Sequence, residues 1–179
     1  MIASRGGPGF HGLSHLTPAG DARMVDVSGK PESAREAVAR ATLTMKRATL
    51  GAIRAGQLAK GDVLGVARTA GIMAAKRTWE LIPLCHPLRI TGVDVSFTLD
   101  DRSATVGIEA RVRTVDKTGV EMEALTAAAV AGLAVYDMVK AVDRDVTLTD
   151  VCLVEKVGGK SGHWKRAGRA APRARRRRG

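Results

Sequence analysis

The chain has 179 residues, a net charge of +11, 45% hydrophobic and 26% charged residues, the balance of a folded domain rather than of a disordered or fibrous chain. No uninterrupted apolar run approaches the ~20 residues that span a bilayer, and Met1 to His15 lacks the apolar block of a secretory signal, so the expectation is a cytoplasmic protein with no membrane partner. Two cysteines, Cys85 and Cys152, make no disulfide framework, and five aromatic residues are too few for a platform that stacks single-stranded nucleic acid.

The positive charge is unevenly placed. Lys165 to Gly179 holds eight basic residues and no acid, which leaves +3 for the rest of the chain. Such a run repels itself and has no apolar face, so residues 164–179 read as a disordered tail, a solvated extension in preference to a nucleic-acid-binding arm. At the other end Gly6, Gly7, Pro8, Gly9, Gly12, Pro18 and Gly20 make residues 1–21 a flexible arm. Residues 22–163 remain as a single domain with structure starting near Met24-Val25-Asp26-Val27.

Within that domain, Ser33 to Met45 alternates Ala37, Ala39, Ala41, Leu43 and Met45 with polar residues and reads as a strand, although its alanines suit a helix as well. A short helix through Leu50 and Ile53 stops near Gly56. From Asp62 to Leu81, Val63, Val66, Ala67, Ala70, Met73 and Ala74 recur at helical spacing, and Pro83 ends the element. Ile90–Leu99 and Ala104–Val115 alternate on either side of Asp100-Asp101-Arg102, a hairpin pattern. Thr118 and Glu121 match a capping box opening an Ala- and Leu-rich helix to about Val142, and Thr147 to Lys156 is a last strand. The order β-α-β-β-α-β predicts an α+β fold: a ferredoxin-like βαββαβ sandwich, with an antiparallel sheet and helices packed on one face.

Four places carry chemistry. Leu81 to Leu88 reads LIPLCHPL, and two prolines stiffen the turn that presents Cys85 and His86. Cys85 reads best as a small buried hydrophobe and His86 as a ligand contact. The remaining candidate metal ligands are scattered, so no metal site is expected. Glu121 and Glu123 sit in the first turn of the long helix, where capping and the helix dipole would suffice to explain them. Asp137 and Lys140 lie at i, i+3 on one helix face, a surface ion pair if isolated and an acid/base couple if in a cleft. Gly158-Gly159-Lys160-Ser161-Gly162 is no Walker loop, because position 154 holds valine, yet its amides with Lys156 and Lys160 suit a phosphate-bearing ligand.

AKRTWELIPLCHPL (Ala75 to Leu88), KTGVEMEALTAA (Lys117 to Ala128), YDMVKA (Tyr136 to Ala141) and GGKSG (Gly158 to Gly162) together resemble the cyclic pyranopterin monophosphate synthases, the molybdenum cofactor biosynthesis protein C family. The resemblance covers about Leu16 to Gly162. It implies conversion of (8S)-3',8-cyclo-7,8-dihydroguanosine 5'-triphosphate to cyclic pyranopterin monophosphate and diphosphate, by a lyase of ferredoxin-like subunits. The assembly it implies is a homohexamer, a trimer of dimers with interfacial sites. By similarity Asp137 is the acid/base and Lys140 and Lys60 are catalytic lysines. Leu84, Cys85, His86, Met122 and Glu123 resemble substrate contacts, Glu121, Lys156 and Lys160 line the pocket, and Asp26 with Arg35 completes it. Val157 departs from the family pattern, which has a small polar residue there. No cofactor is required; Mg²⁺ on the departing diphosphate is compatible with the chemistry and not demanded by the sequence.

Glu123 and Asp137 are 14 positions apart, which in a helix separates them by roughly 21 Å along the axis on similar faces. Either a long ligand bridges them or two chains share the site. A catalytically inert, basic RNA-binding module is the rival reading, and it would depend on the Arg-rich tail.

Overall fold

In a computed structural model, residues 20–160 and 162–167 are described. They form strands β1 (Ser33–Thr44), β2 (Ile90–Asp100), β3 (Thr105–Asp116), β4 (Thr147–Val157) and β5 (Trp164–Lys165), and helices α1 (Arg47–Ala55), α2 (Val63–Lys76), α3 (Thr78–Leu81) and α4 (Glu121–Val139). The sheet is antiparallel in the order β2-β3-β1-β4-β5. Its first four strands with α2 and α4 are the ferredoxin-like βαββαβ arrangement.

The period-two pattern of β1 acts as expected. Ala37, Ala39, Ala41 and Leu43 are buried, as are Val106, Ile108, Ala110 and Val112 on β3, and both sets meet α4 through Ala124, Ala127, Ala128, Ala131 and Val135. A core built from small residues lets the layers approach closely. At Gly71 of α2 a Cβ would stand 2.9 Å from the carbonyl oxygen of Ala127 on α4, so the two helices meet almost backbone to backbone. The 19-residue α4 is long and apolar enough to cross a membrane. It is instead the central core helix here, packed on β1, β3 and β4 beside α2, which lies on β2, with charged residues at both ends. The opposite sheet face carries crossed ion pairs, including Arg40–Glu109, Arg111–Glu36 and Arg113–Asp94.

Several boundaries differ from the sequence reading. The helix expected over Asp62–Leu81 breaks at Arg77, whose φ of −115° and ψ of 13° leave helical geometry, and α3 starts afresh at Thr78. The capping box at Thr118 does not form: α4 starts at Glu121 after Val120, with no side-chain cap, because the Glu121 carboxylate is engaged by Lys156 at 2.8 Å. Residues Met24–Val27 form no regular strand. The expected disordered tail opens instead with β5, which pairs with Glu155 and Lys156 of β4; its remainder from 168 onward, like most of the 1–21 arm, lies outside the described residues.

One buried carboxylate joins the start of α1 to the turn that follows α4. Asp143 Oδ2 accepts from Lys46 N and Thr49 Oγ1, both at 2.9 Å, so it caps α1 from a distant segment. Those amide and hydroxyl bonds hold its carboxyl below the usual range against the effect of burial.

Candidate active site

Six of the expected residues meet. Leu84, Cys85, His86, Glu121, Met122 and Glu123 line a cavity of about 290 Å³ between the 82–88 turn and the start of α4. The turn is held by Cys85 N donating to Ile82 O at 3.0 Å. His86 Nε2 lies 2.8 Å from the Val25 carbonyl; an oxygen with no proton to give fixes Nε2 as the donor and leaves Nδ1 for a ligand. The same bond ties the 24–27 segment across the cavity.

Glu123 is the chemically unusual member. It is 4% exposed, and burial, with a smaller contribution from neighbouring Glu121, pushes its carboxyl up to about 7. It therefore exchanges a proton near neutrality. Cys85 is half-buried, and burial together with Glu123 raises its thiol, so it is a neutral wall residue rather than a nucleophile.

A second, wider cavity of about 760 Å³ adjoins the first, and Lys30, Thr118, Gly119 and Glu121 border both. Its wall is cationic: Arg35, Lys117, Lys156 and Lys160 face it with Gly159. Glycine is needed at the rim, because Gly158 and Gly159 have φ of +96° and +71° and a Cβ on Gly158 would stand 2.2 Å from the Ala34 carbonyl oxygen. Val157, the departure from the family pattern, is exposed and remains the last residue of β4 opposite Glu36. Glu121 and Lys156, paired at 2.8 Å, stand on the boundary side of this wall.

The remaining expected catalytic residues gather elsewhere. At the far end of α4, Lys140 Nζ is 2.7 Å from Asp137 Oδ1 and Lys60 Nζ is 2.9 Å from Asp137 Oδ2. Lys60 also donates to the Asp137 carbonyl at 2.7 Å. Their side chains are 44% to 56% exposed. Hydrogen bonds and charge from Lys140 first and then Lys60 pull the Asp137 carboxyl down to about 2, and Asp137 in turn raises Lys140. None of the three borders either cavity.

Asp26 is the expected residue that the structure does not bring in. Val25 and Val27 line the inner cavity, and Asp26 between them is exposed. Its carboxylate accepts from Ser28 N at 2.8 Å, which lowers its pKa. Lys30 and Lys117 were missed by sequence reasoning. Lys30 follows a glycine and precedes a proline in a segment without periodicity, so only its charge beside a tight turn could have flagged it.

An open ferredoxin-like sheet, an inner cavity with a proton-exchanging carboxyl, a cationic outer cavity and a lysine–aspartate cluster define an α+β protein equipped for an anionic ligand and for proton transfer. Residues 24–159 match the model of the MoaC family, and the chain belongs to that family. Its relatives include proteins named cyclic pyranopterin monophosphate synthase. The one from Heliobacterium modesticaldum is 62% identical over 154 residues, covering 86% of this chain and 97% of the relative. That from Thermomicrobium roseum is 58% identical over 163 residues, covering 91% and 98%, and that from Pelotomaculum thermopropionicum is 59% identical over 160 residues, covering 89% and 94%.

Proposed function

We propose that this chain is a cyclic pyranopterin monophosphate synthase of molybdenum cofactor biosynthesis, a phosphorus–oxygen lyase. It converts (8S)-3',8-cyclo-7,8-dihydroguanosine 5'-triphosphate to cyclic pyranopterin monophosphate and diphosphate. Membership of the family and the names of relatives at 58% to 62% identity support the activity. The observation that carries it on the structural side is the pair of joined cavities, one with a buried carboxyl and one walled by cations.

The chemistry divides accordingly. The ring system occupies the inner cavity against Leu84, Cys85, His86, Met122 and Glu123, where Glu123 and the free Nδ1 of His86 exchange protons with it. The phosphate chain runs into the outer cavity, where Arg35, Lys156 and Lys160 neutralise the charge that grows on the departing diphosphate. In the Lys60–Asp137–Lys140 cluster the carboxyl enters without a proton and Lys140 holds its own the more firmly. A lysine therefore gives the first proton, and Asp137 accepts one only after a lysine has been drawn toward the ligand.

That cluster reaches the ligand from a second copy of the chain. The rise of α4 keeps Glu123 and Asp137 roughly 21 Å apart along the axis, too far for one reacting atom. Exposed Val66 and Met73 on α2, Trp79 and Leu81 on α3 and Leu133 on α4 give that copy apolar surface to cover. A homohexamer built as a trimer of dimers, acting in the cytoplasm, is the assembly in this reading. No resident cofactor takes part; Mg²⁺ would serve only on the diphosphate. Incubating the purified chain with the cyclised nucleotide should release diphosphate and yield a product that becomes fluorescent on oxidation to a pterin. Diphosphate release without a pterin, or neither, contradicts the function.

A further inference from the structure

The exposed position of Asp26 has a structural counterpart four residues on. Asp26 Oδ1 accepts from Ser28 N at 2.8 Å, an Asx turn. Lys30 N then donates to Val27 O at 3.0 Å and closes a second tight turn over Ser28 and Gly29. From across the groove Lys117 Nζ donates to Ser28 O at 2.7 Å. Three bonds thus brace a segment that belongs to no helix or strand, and the side chain it delivers to the cavities is Lys30.

Lys30 borders both cavities where they join at Thr118, Gly119 and Glu121. Of the other cations on that wall, Arg35, Lys117 and Lys156 already have partners, whereas Lys160, with none among the described residues, borders only the outer cavity. Arg35 donates to the carbonyls of Asp116 and Lys117 at 3.0 and 3.1 Å, Lys117 holds Ser28, and Lys156 holds Glu121. The Lys30 ammonium has no hydrogen-bond or ion-pair partner among the described residues. A compact ammonium donates to the oxygens of a tetrahedral oxyanion from many directions, so it suits a phosphate that must pass the junction.

We infer that Lys30 is a phosphate-binding residue at the junction of the two cavities, and that Asp26 and Lys117 are positioning residues that build and brace the turn presenting it. The inference rests on the reading of a ligand whose ring lies in the inner cavity and whose phosphates lie in the outer one. It assigns Asp26 a role through its acceptor oxygen rather than through contact with the ligand.

Inorganic tripolyphosphate is the probe, its affinity measured by calorimetry on the full chain beside KM and kcat for the cyclised nucleotide. Lys30→Ala should weaken tripolyphosphate binding and raise KM by about tenfold to a hundredfold, the usual scale for one charged hydrogen bond, with a much smaller effect on kcat. Lys30→Arg should recover most of that loss. Asp26→Ala should weaken tripolyphosphate by a smaller factor, and Asp26→Asn, which keeps the acceptor for Ser28 N, should restore it. Unchanged tripolyphosphate affinity in Lys30→Ala overturns the Lys30 site even if the chain turns the nucleotide over. An Asp26→Asn variant as defective as Asp26→Ala overturns the positioning role. Lost tripolyphosphate affinity in Lys30→Ala of a chain without any turnover would keep the Lys30 site and retire the synthase reading instead.

Discussion

The two ends of α4 carry the same functional group in opposite settings. At the start, Glu123 is buried against the inner cavity and its carboxyl rises to about 7. At the end, Asp137 is exposed between two ammoniums and falls to about 2. Removal of water disfavours the charged carboxylate and nearby cations favour it, so one helix holds a carboxyl that trades protons near neutrality and another that keeps its charge. A reaction that shuffles protons on a ring while phosphate leaves has use for both, and the contrast sets out where each variant should act.

The largest effect is expected at the exposed end. Asp137→Asn keeps the shape and removes the charge that Lys60 and Lys140 share, so turnover should fall about a thousandfold, the scale of a lost acid/base group. Because the group is exposed, the melting temperature should barely change. Steady-state kinetics with calorimetry on the same preparation checks both, and retained turnover would move the proton-transfer role to the lysines alone.

Glu123→Gln should show itself in stability as well as rate. The folded carboxyl titrates near 7 and the unfolded one near 4.5, so the folded state holds a proton that the unfolded chain releases in between. The group's favourable contribution is full below about pH 4.5 and is lost as pH rises through 7. The Gln variant should therefore gain on the native chain by on the order of 2 kcal/mol at pH 8, and far less at pH 4. Denaturant titrations at the two pH values test this, and parallel curves would contradict the burial of Glu123. Asp137 has the opposite sign: its contribution is present above about 3.8 and is lost as pH falls through about 2, so Asp137→Asn should leave the pH 4.5–8 slope intact.

The smallest effect separates the enzyme from a basic RNA-binding module. Removing residues 168–179 deletes six arginines, and turnover should be unchanged. Loss of turnover would draw the tail into the site, and loss of RNA affinity from a chain without turnover would favour the rival.

Much of this was legible in the sequence. Alternation placed β1, β2, β3 and β4, because burial on one face writes its period into the chain, and the Ala- and Leu-rich run read as the helix that is α4. The break at Arg77 and the late start of α4 were not legible. The first is a departure of the Arg77 backbone from helical angles, the second involves Lys156 capturing Glu121 from 35 residues away. Helical rise alone separated Glu123 from Asp137. Lys60 stands 77 positions from Asp137 and was reached only through the family resemblance. Asp26 was picked out as a residue, but the Asx turn that faces it away from the cavity depends on main-chain geometry that composition does not encode.

The most direct measurement mixes two dead chains. Asp137→Ala and Glu123→Ala subunits, each inactive alone, should regain activity after co-refolding, because a hybrid assembly restores some sites with an intact Glu123 end from one chain and an intact Asp137 end from the other. No recovery at any mixing ratio, with hybrid assemblies demonstrated by mass spectrometry, would mean that a single chain supplies both ends, and the shared-site account would be wrong.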